Sequence, residues 1–373
     1  MKQRYLTHIP VRVLTALVVL AIFAVSCSKK NSTPTAEPFA KIGLYEYQSG
    51  IYKRIYMPVA AVGTQNVTNN STELPEYAAF DTGSTGLTMD ASGLIPASMI
   101  TSSGFVFTGD SVVVNDITII KGILTVKFGD AISNTTEYGN LAYATFTLGQ
   151  PGDTQITTKR IPFFLYYKVV DEKGTVFKAH EADVFGVGSG VSYASSKIAS
   201  PLSYFTSANN TISGFKLAAV DATGFTVTNG MLVKDMLTIG LVPSDLTSAG
   251  FIMHPLSSFS VGGYSDNISA TITYNNTVVS SAQILFDTGT PAISVIEDPK
   301  ATGVGALAVN STVKITTNRG FTFLYTVGAN GNLTSIQNPN NTNDYRSIFS
   351  LDFFINNQYL VDYQNHQIGL KNN

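Results

Sequence analysis

The chain has 373 residues, of which 44% are hydrophobic and 13% are charged, and its formal net charge at pH 7 is −2. This length and apolar content suffice for two domains with sizeable cores, and the weak net charge gives no electrostatic reason to expect a nucleic-acid partner. Abundant Gly, Tyr and Phe, together with Ser, Thr and Asn, favour a β-rich exported protein over a helical bundle.

The N-terminus has the layout of a secretory signal. Lys2, Arg4 and Arg12 precede an apolar run over residues 13–26, and this run is too short to be read as a membrane span. It ends in AVSC, where small residues directly before Cys27 resemble the bacterial lipobox, although Ala24 stands where that motif most often has Leu. We therefore expect residues 1–26 to be a lipoprotein signal peptide.

Cys27 is the only cysteine in the chain, so no disulfide can form within it. A lone Cys is usually a small buried hydrophobe, whereas the lipobox resemblance implies that Cys27 carries a lipid. Residues 27–40 have the composition of a flexible tether. We expect a bacterial lipoprotein at the outer membrane or cell surface, with its folded part on the periplasmic or extracellular side.

Short strand-like runs follow the tether. They are rich in β-branched and aromatic residues and are separated by Gly, Asn, Asp and Ser turns. The main runs are 54–62, 111–128, 141–149, 161–170, 231–242 and 357–370. The pattern predicts an all-β chain with three or four short helices, one of them within residues 193–205.

One motif occurs twice. AAFDTGSTGL (78–87) and ILFDTGTPAI (284–293) share Phe-Asp-Thr-Gly, and each copy ends an apolar strand and precedes a hydroxyl residue. Asp and Gly are favoured in turns, so a single copy would be interpreted as turn chemistry. Two copies in equivalent settings indicate a duplicated lobe, and they raise the alternative that Asp81 and Asp287 act as a pair.

The sequence resembles the pepsin-like aspartic proteases along nearly all of the expected mature chain. Besides the two motifs, five segments carry the resemblance. Residues 55–65 resemble the opening strand, residues 123–149 the flap hairpin, and residues 182–190 the first hydrophobic-hydrophobic-Gly segment. Residues 236–256 resemble the approach to the second aspartate, and residues 347–370 resemble the closing hairpin. The resemblance implies an all-β, bilobal fold with two β-barrel-like lobes, residues 41–220 and 221–373, and a cleft between them.

The resemblance also implies that Asp81 and Asp287 are catalytic. Two carboxyl groups about 3 Å apart cannot both ionise, so the pair shares one proton and contains a base and an acid together. This chemistry needs neither a metal nor a cofactor, and we expect none. By the same resemblance, Gly83 and Gly289 leave room for the two loops to approach, Thr82 and Thr288 cross-link the loops, and Ser84 and Thr290 bond the outer carboxyl oxygens.

Three features depart from the family pattern: Phe128, Ser350, and the absence of the Trp that often follows the first motif, in a chain that has no Trp. Phe128 stands at the flap position that usually carries Tyr, and it can close over a substrate but has no hydroxyl group. Tyr138, on the returning strand, is either a substitute for that hydroxyl or a packing residue. Ser350 replaces the Gly of the second hydrophobic-hydrophobic-Gly segment, which predicts an adjusted backbone behind Asp287.

The four histidines, at positions 8, 180, 254 and 366, are dispersed along the chain, so their spacing does not suggest a metal site. We interpret residues 180–183, HEAD, as a polar lead-in to a strand.

Taken together, the motifs and the resemblance predict a monomeric, lipid-anchored aspartic endopeptidase that acts on extended peptides or unfolded proteins bound as an added strand. The alternative is a catalytically inactive surface protein of the same fold that binds peptide or glycan.

Overall fold

The computed structural model describes residues 37–67, 77–129, 134–205, 211–223, 225, 230–260 and 262–373. The expected signal peptide, Cys27 and most of the expected tether lie outside these residues and stay predictions. Within the described part of the chain, no helix is long and apolar enough to cross a membrane.

Strands dominate the described residues. The first half contains β1 Ala40–Ser49, β2 Tyr52–Val62, β3 Gln65–Asn66, β4 Tyr77–Asp81, β5 Thr85–Asp90, β6 Ile100–Thr101, β7 Gly104–Phe105, β8 Ser111–Val114, β9 Ile117–Ile120, β10 Leu124–Gly129, β11 Asn134–Ala144, β12 Phe146–Leu148, β13 Ile156–Thr157, β14 Ile161–Asp171, β15 Val184–Val187 and β16 Ile212–Leu217.

The second half continues the same architecture. It contains β17 Met231–Leu241, β18 Ile252–Pro255, β19 Ser257–Ser258, β20 Tyr264–Ser265, β21 Ile268–Tyr274, β22 Thr277–Phe286, β23 Ile293–Glu297, β24 Gly305–Ala306, β25 Thr312–Thr317, β26 Thr322–Thr326, β27 Leu333–Gln337, β28 Arg346–Phe349, β29 Asn357–Asp362 and β30 Gln367–Asn372. The helices are short, at Ala97–Met99, Pro201–Tyr204, Pro243–Thr247, Pro339–Thr342 and Leu351–Ile355.

Two large sheets organise these strands. One has eighteen strands and takes in β1–β5, β8–β18, β29 and β30, and the other has eight strands, β21–β28. Strands from before and after residue 220 meet in the larger sheet, because β17 pairs with β1 and β29 pairs with β16. The all-β prediction is confirmed.

Side-chain alternation explains which faces are buried. In β21, residues at every second position from Ile268 to Tyr274 are buried, as expected for a strand with one face on a core. In β14, the run from Phe163 to Tyr166 is buried at every position, because this strand lies inside its sheet between β11 and β5. Full burial of one such large side chain contributes about 1.5–3 kcal/mol.

Two predictions about local structure were wrong in detail. The run 111–128 forms three strands, because Asn115 and Asp116 adopt positive φ values of 51° and 57° and turn the chain after β8. The predicted helix within 193–205 is confined to Pro201–Tyr204, where the Ser200 hydroxyl caps the Leu202 amide.

The predicted flap is an antiparallel hairpin of β10 and β11. Val126 pairs with Glu137 and Phe128 pairs with Thr135, and the hairpin tip lies outside the described residues. On the far side, β11 pairs with β14, which joins the hairpin to the larger sheet.

Candidate active site

The first aspartate loop is supported by a third strand. Asp81 ends β4, and β15 pairs with both β4 and β5, so that Gly186 lies opposite Asp81 on one side and Gly86 on the other. A Cβ on Gly186 would lie 2.7 Å from the Gly86 carbonyl oxygen and 2.8 Å from the Ser84 hydroxyl oxygen. The close approach of these strands therefore requires glycine at position 186.

The second aspartate loop has a related support. β28 runs parallel to β22, and the Asp287 amide donates to the Phe349 carbonyl oxygen at 2.9 Å. Ser350 follows and is fully buried; its amide donates to the Ser294 hydroxyl oxygen at 3.0 Å, and that hydroxyl donates to the Ser350 hydroxyl oxygen at 3.3 Å. The serine that departs from the family pattern thus has a polar partner behind Asp287.

Each motif glycine lies against the opposite carboxyl group. A Cβ on Gly83 would lie 2.5 Å from Cγ of Asp287, and a Cβ on Gly289 would lie 2.6 Å from Cγ of Asp81. The loops therefore bring the two aspartates of the repeated motif into one site.

The Asp81 carboxyl group is buried and well supplied with donors. Its Oδ1 accepts from the Gly83 amide at 2.7 Å and the Ser84 amide at 3.2 Å, and its Oδ2 accepts from the Ser84 hydroxyl at 2.7 Å. Burial is the largest cause that raises the pKa of Asp81, followed by the negative charge of Asp287 and the hydrogen bond between the carboxyl groups. These effects outweigh the bonds from Ser84 and Gly83, so the pair retains a proton.

Asp287 has nearly the same arrangement. Its Oδ1 accepts from the Gly289 amide at 2.7 Å and its Oδ2 accepts from the Thr290 hydroxyl at 2.6 Å. In both loops, the hydroxyl residue that follows the glycine orients one carboxyl oxygen, which leaves the remaining lone pairs available to a water molecule or a substrate.

Thr82 and Thr288 cross-link the two loops. The amide of each threonine donates to the hydroxyl oxygen of the other at 3.0 Å. The Thr82 hydroxyl donates to the Phe286 carbonyl oxygen at 2.8 Å, and the Thr288 hydroxyl donates to the Phe80 carbonyl oxygen at 2.6 Å. These buried bonds fix the strand ends that carry the aspartates.

A cavity of about 390 Å³ lies beside the first loop. Ser84 and Thr85 form part of its wall, and Val126 and Phe128 of the flap hairpin form another part. Tyr138 pairs with Thr125, on the face of the hairpin opposite to Val126 and Phe128. Its ring lies 4.6 Å below the Lys168 ammonium, so it packs outside the cavity and does not substitute for a flap tyrosine there.

Sequence reasoning missed two basic residues on β2 that reach the second loop. The Arg54 guanidinium donates to the Gly289 carbonyl oxygen. The neighbouring Lys53 ammonium lies 2.6 Å from Oδ1 of Asp352, and its amide donates to the Pro291 carbonyl oxygen at 2.9 Å. The sequence did contain a signal for this site, because two adjacent basic residues in a strand are unusual in a chain with few charges. Their partners could not be predicted, because these depend on how the strands are aligned in the sheet.

The segment 180–183 is more than the predicted polar lead-in. Nδ1 of His180 lies 2.8 Å from Oδ2 of Asp183, and Oδ1 of Asp183 accepts from the Tyr166 hydroxyl at 2.6 Å and from the Asp90 amide at 2.8 Å. Burial is the largest cause that raises the pKa of Glu137 on β11, and the charge of Asp183 adds to it. We call Asp90, Glu137 and Asp183 the buried acid cluster. Among the described residues, no group of three or more His, Cys, Asp or Glu side chains is arranged to hold a metal ion.

Comparisons with known proteins agree with this architecture at the level of fold. No family model matches the sequence, and no curated protein matches it. Among solved structures, the chain is similar to the aspartic proteinase from Irpex lacteus, with a TM-score of 0.52 and 16% sequence identity over 89% of this chain and 97% of that chain. The fold is therefore all-β and bilobal, of the pepsin-like aspartic proteinase type.

Proposed function

We propose that this protein is an aspartic endopeptidase. The observation that carries the proposal is the meeting of Asp81 and Asp287 in one site, each with its own serine or threonine hydroxyl on an outer oxygen. Turn chemistry alone would satisfy each aspartate within its own loop and would not require the opposite glycine to accommodate it.

The chemistry follows from one proton shared by two carboxyl groups. The ionised carboxylate accepts a proton from a water molecule, and the resulting hydroxide attacks the peptide carbonyl carbon. The protonated carboxyl group hydrogen-bonds the developing oxyanion, and a proton is delivered to the amine as the carbon–nitrogen bond breaks. Activity is lost when the pair loses its proton as the pH rises through the raised pKa of Asp81.

The proposed substrate is an extended peptide or an unfolded protein segment bound as an added strand under the flap. Phe128 would exclude water from the reacting bond without donating a hydrogen bond. In this proposal the enzyme is a monomer without a cofactor, and a lipid on Cys27 anchors it at the outer membrane or the cell surface, with its folded part on the periplasmic or extracellular side.

The second candidate is an inactive surface protein that binds peptide or glycan in the same cleft. Two observations favour it: Phe128 supplies no hydroxyl group at the cavity, and Arg54 occupies the Gly289 carbonyl oxygen beside the aspartate pair.

The deciding experiment incubates the full chain in detergent with a diverse peptide library from pH 3 to pH 8, with and without pepstatin. We expect cleavage that pepstatin blocks and that Asp81→Asn and Asp287→Asn each abolish. Asp116→Asn, which alters an exposed ion pair with Arg160, is the matched control and should cleave normally. A folded protein that cleaves nothing at any pH would overturn the proposal and favour the binding protein.

A further inference from the structure

The cavity beside Asp81 has an unusual distribution of charge. Among the described residues that line it, Asp266 and Arg346 carry the charges, and both come from the half of the chain that carries Asp287. Ser84, whose hydroxyl bonds Asp81, lines the same cavity. A substrate side chain in this cavity would therefore lie close to the bond that is cleaved.

Arg346 is neutralised by its own neighbour. Its Nε donates to Oδ1 of Asp344 at 2.8 Å and its Nη2 donates to Oδ2 at 2.7 Å, which is a bidentate ion pair. The cavity consequently has one uncompensated charge, the carboxylate of Asp266.

Asp266 is half-buried, and its carboxyl group has lone pairs to spare. Both of its oxygens accept from the Ser189 amide, at 3.0 Å each. An ionised carboxylate offers about four acceptor positions. A bidentate cation could therefore bind without displacing Ser189.

The remaining walls are largely apolar and aromatic. They include Val126, Phe128, Tyr193, Phe259, Tyr264 and Leu285. The Tyr193 side chain is 85% exposed, which leaves its ring free to contact a ligand at the cavity mouth. A long side chain with an apolar stem and a cationic head suits such a lining, because the stem packs on apolar surface and a guanidinium stacks on aromatic rings.

We propose that this cavity is the specificity pocket for a lysine or arginine side chain of the substrate, with the Asp266 carboxylate as the ligand of its head group. This inference rests on the proposed endopeptidase function and names the substrate class of the same cleft. It predicts preferential cleavage next to basic residues.

The preference should depend on pH. Burial is the largest cause that raises the pKa of Asp266 to about 6, and hydrogen bonds from Ser189 oppose it. The titratable groups around this carboxyl include Arg346, Tyr193 and Tyr264 in the cavity, His366 stacked on Tyr264, and the Tyr359 and Tyr363 hydroxyls. Asp266 is therefore ionised above that pH and neutral below it, so the preference for a cation should strengthen from pH 4.5 to pH 6.5.

The test uses pairs of peptides that differ in one residue beside the cleaved bond, Lys against Met and Arg against Gln. For the full chain at pH 6.5, we expect kcat/KM to favour the basic peptide by about tenfold or more, since a hydrogen bond between charged groups contributes that much. The ratio should fall toward one in Asp266→Asn. Asp116→Asn, remote from the cavity, should keep the wild-type ratio.

A second variant tests the charge balance without altering Asp266. Asp344→Asn leaves the Arg346 charge unpaired, so the preference for Lys should weaken and a Glu-containing peptide should gain. Equal cleavage of basic and neutral peptides by the wild type would overturn the pocket assignment and leave the endopeptidase function intact.

Calorimetry with uncleavable reduced-amide versions of the same peptides separates the two proposals. Tighter binding of the Lys peptide than of the Met peptide would support the pocket even if no peptide were cleaved. Equal binding of the two would overturn it.

Discussion

The two aspartate loops present nearly identical hydrogen bonds to their carboxyl groups and differ in what lies behind them. Behind Asp81, Gly186 and Gly86 bring two strands so close that a Cβ on Gly186 would collide with backbone. Behind Asp287, Ser350 occupies the corresponding place and bonds to Ser294. A duplicated site can therefore retain the atoms that face the reaction while its supporting layer diverges.

The loops also differ in their electrostatic surroundings. Lys53 and Arg54 of β2 contact the region of the second loop, where Lys53 pairs with the buried Asp352. The buried acid cluster lies instead around the first loop: Asp90 ends β5, Asp183 directly precedes β15, and Glu137 lies on the flap strand β11. The two carboxyl groups therefore differ in their surroundings: basic residues contact the loop of Asp287, and buried acidic residues lie around the loop of Asp81.

The strongest test of the equivalence of the loops is substitution of their glycines. Gly83→Ala should displace the Asp287 carboxyl group and Gly289→Ala should displace that of Asp81, because the added Cβ would lie within 2.6 Å of the opposite Cγ. We expect each to lower kcat/KM by at least about a hundredfold, since a misplacement of about 1 Å costs that much. Gly303→Ala, with no atom within 4 Å of the added Cβ, is the control. Near-normal activity in either variant would mean that the carboxyl groups are not packed as described.

The difference behind the loops is tested by exchanging the two supporting residues. Gly186→Ser should lower the free energy of unfolding by about 3 kcal/mol, because overpacking a close strand contact forces the backbone apart. Ser350→Gly removes the hydroxyl oxygen that accepts from the Ser294 hydroxyl and should cost about 1 kcal/mol, the usual value of a lost buried hydrogen bond. Urea denaturation measures both. Equal costs would show that the two supports are as constrained as each other.

Much of the site could be predicted from sequence, because the repeated Phe-Asp-Thr-Gly motif is local and both copies have the same setting. The contacts of Arg54 and Asp266 could not, since they join residues far apart in the chain through sheet register and through the β19–β20 hairpin. The burial of Asp183 was also missed. It depends on Tyr166 and the Asp90 amide from other strands, and no local pattern announces such partners.

The threonine cross-link predicts equal effects in the two loops. Thr82→Val and Thr288→Val each remove a hydroxyl that accepts from one buried amide and donates to one buried carbonyl. We expect each to lower the free energy of unfolding by about 1–3 kcal/mol, and the two losses to agree within about 0.5 kcal/mol. Thr312→Val, at an exposed strand position, controls for the general effect of the substitution. A loss confined to one loop would contradict the symmetric cross-link.

The smallest expected effect is on the pH dependence of stability, and it tests whether the buried acid cluster near the first loop is responsible for it. Glu137 is fully buried, and burial first, then the charge of Asp183, raises its pKa well above 4.5. A carboxyl group whose pKa is higher in the folded state contributes stability that is complete below its unfolded pKa and is lost as the pH rises toward the folded value. Glu137 should therefore contribute a loss of stability as the pH rises above its ordinary pKa of 4.5, and the stability of Glu137→Gln should decline less over the same range. Denaturation from pH 4 to pH 8 measures how the free energy of unfolding changes with pH, with the exposed Glu172→Gln as control.

Identical slopes in wild type and Glu137→Gln would show that Glu137 does not govern the pH dependence. The buried Glu46, whose pKa burial raises to about 7, would then be the next residue to substitute.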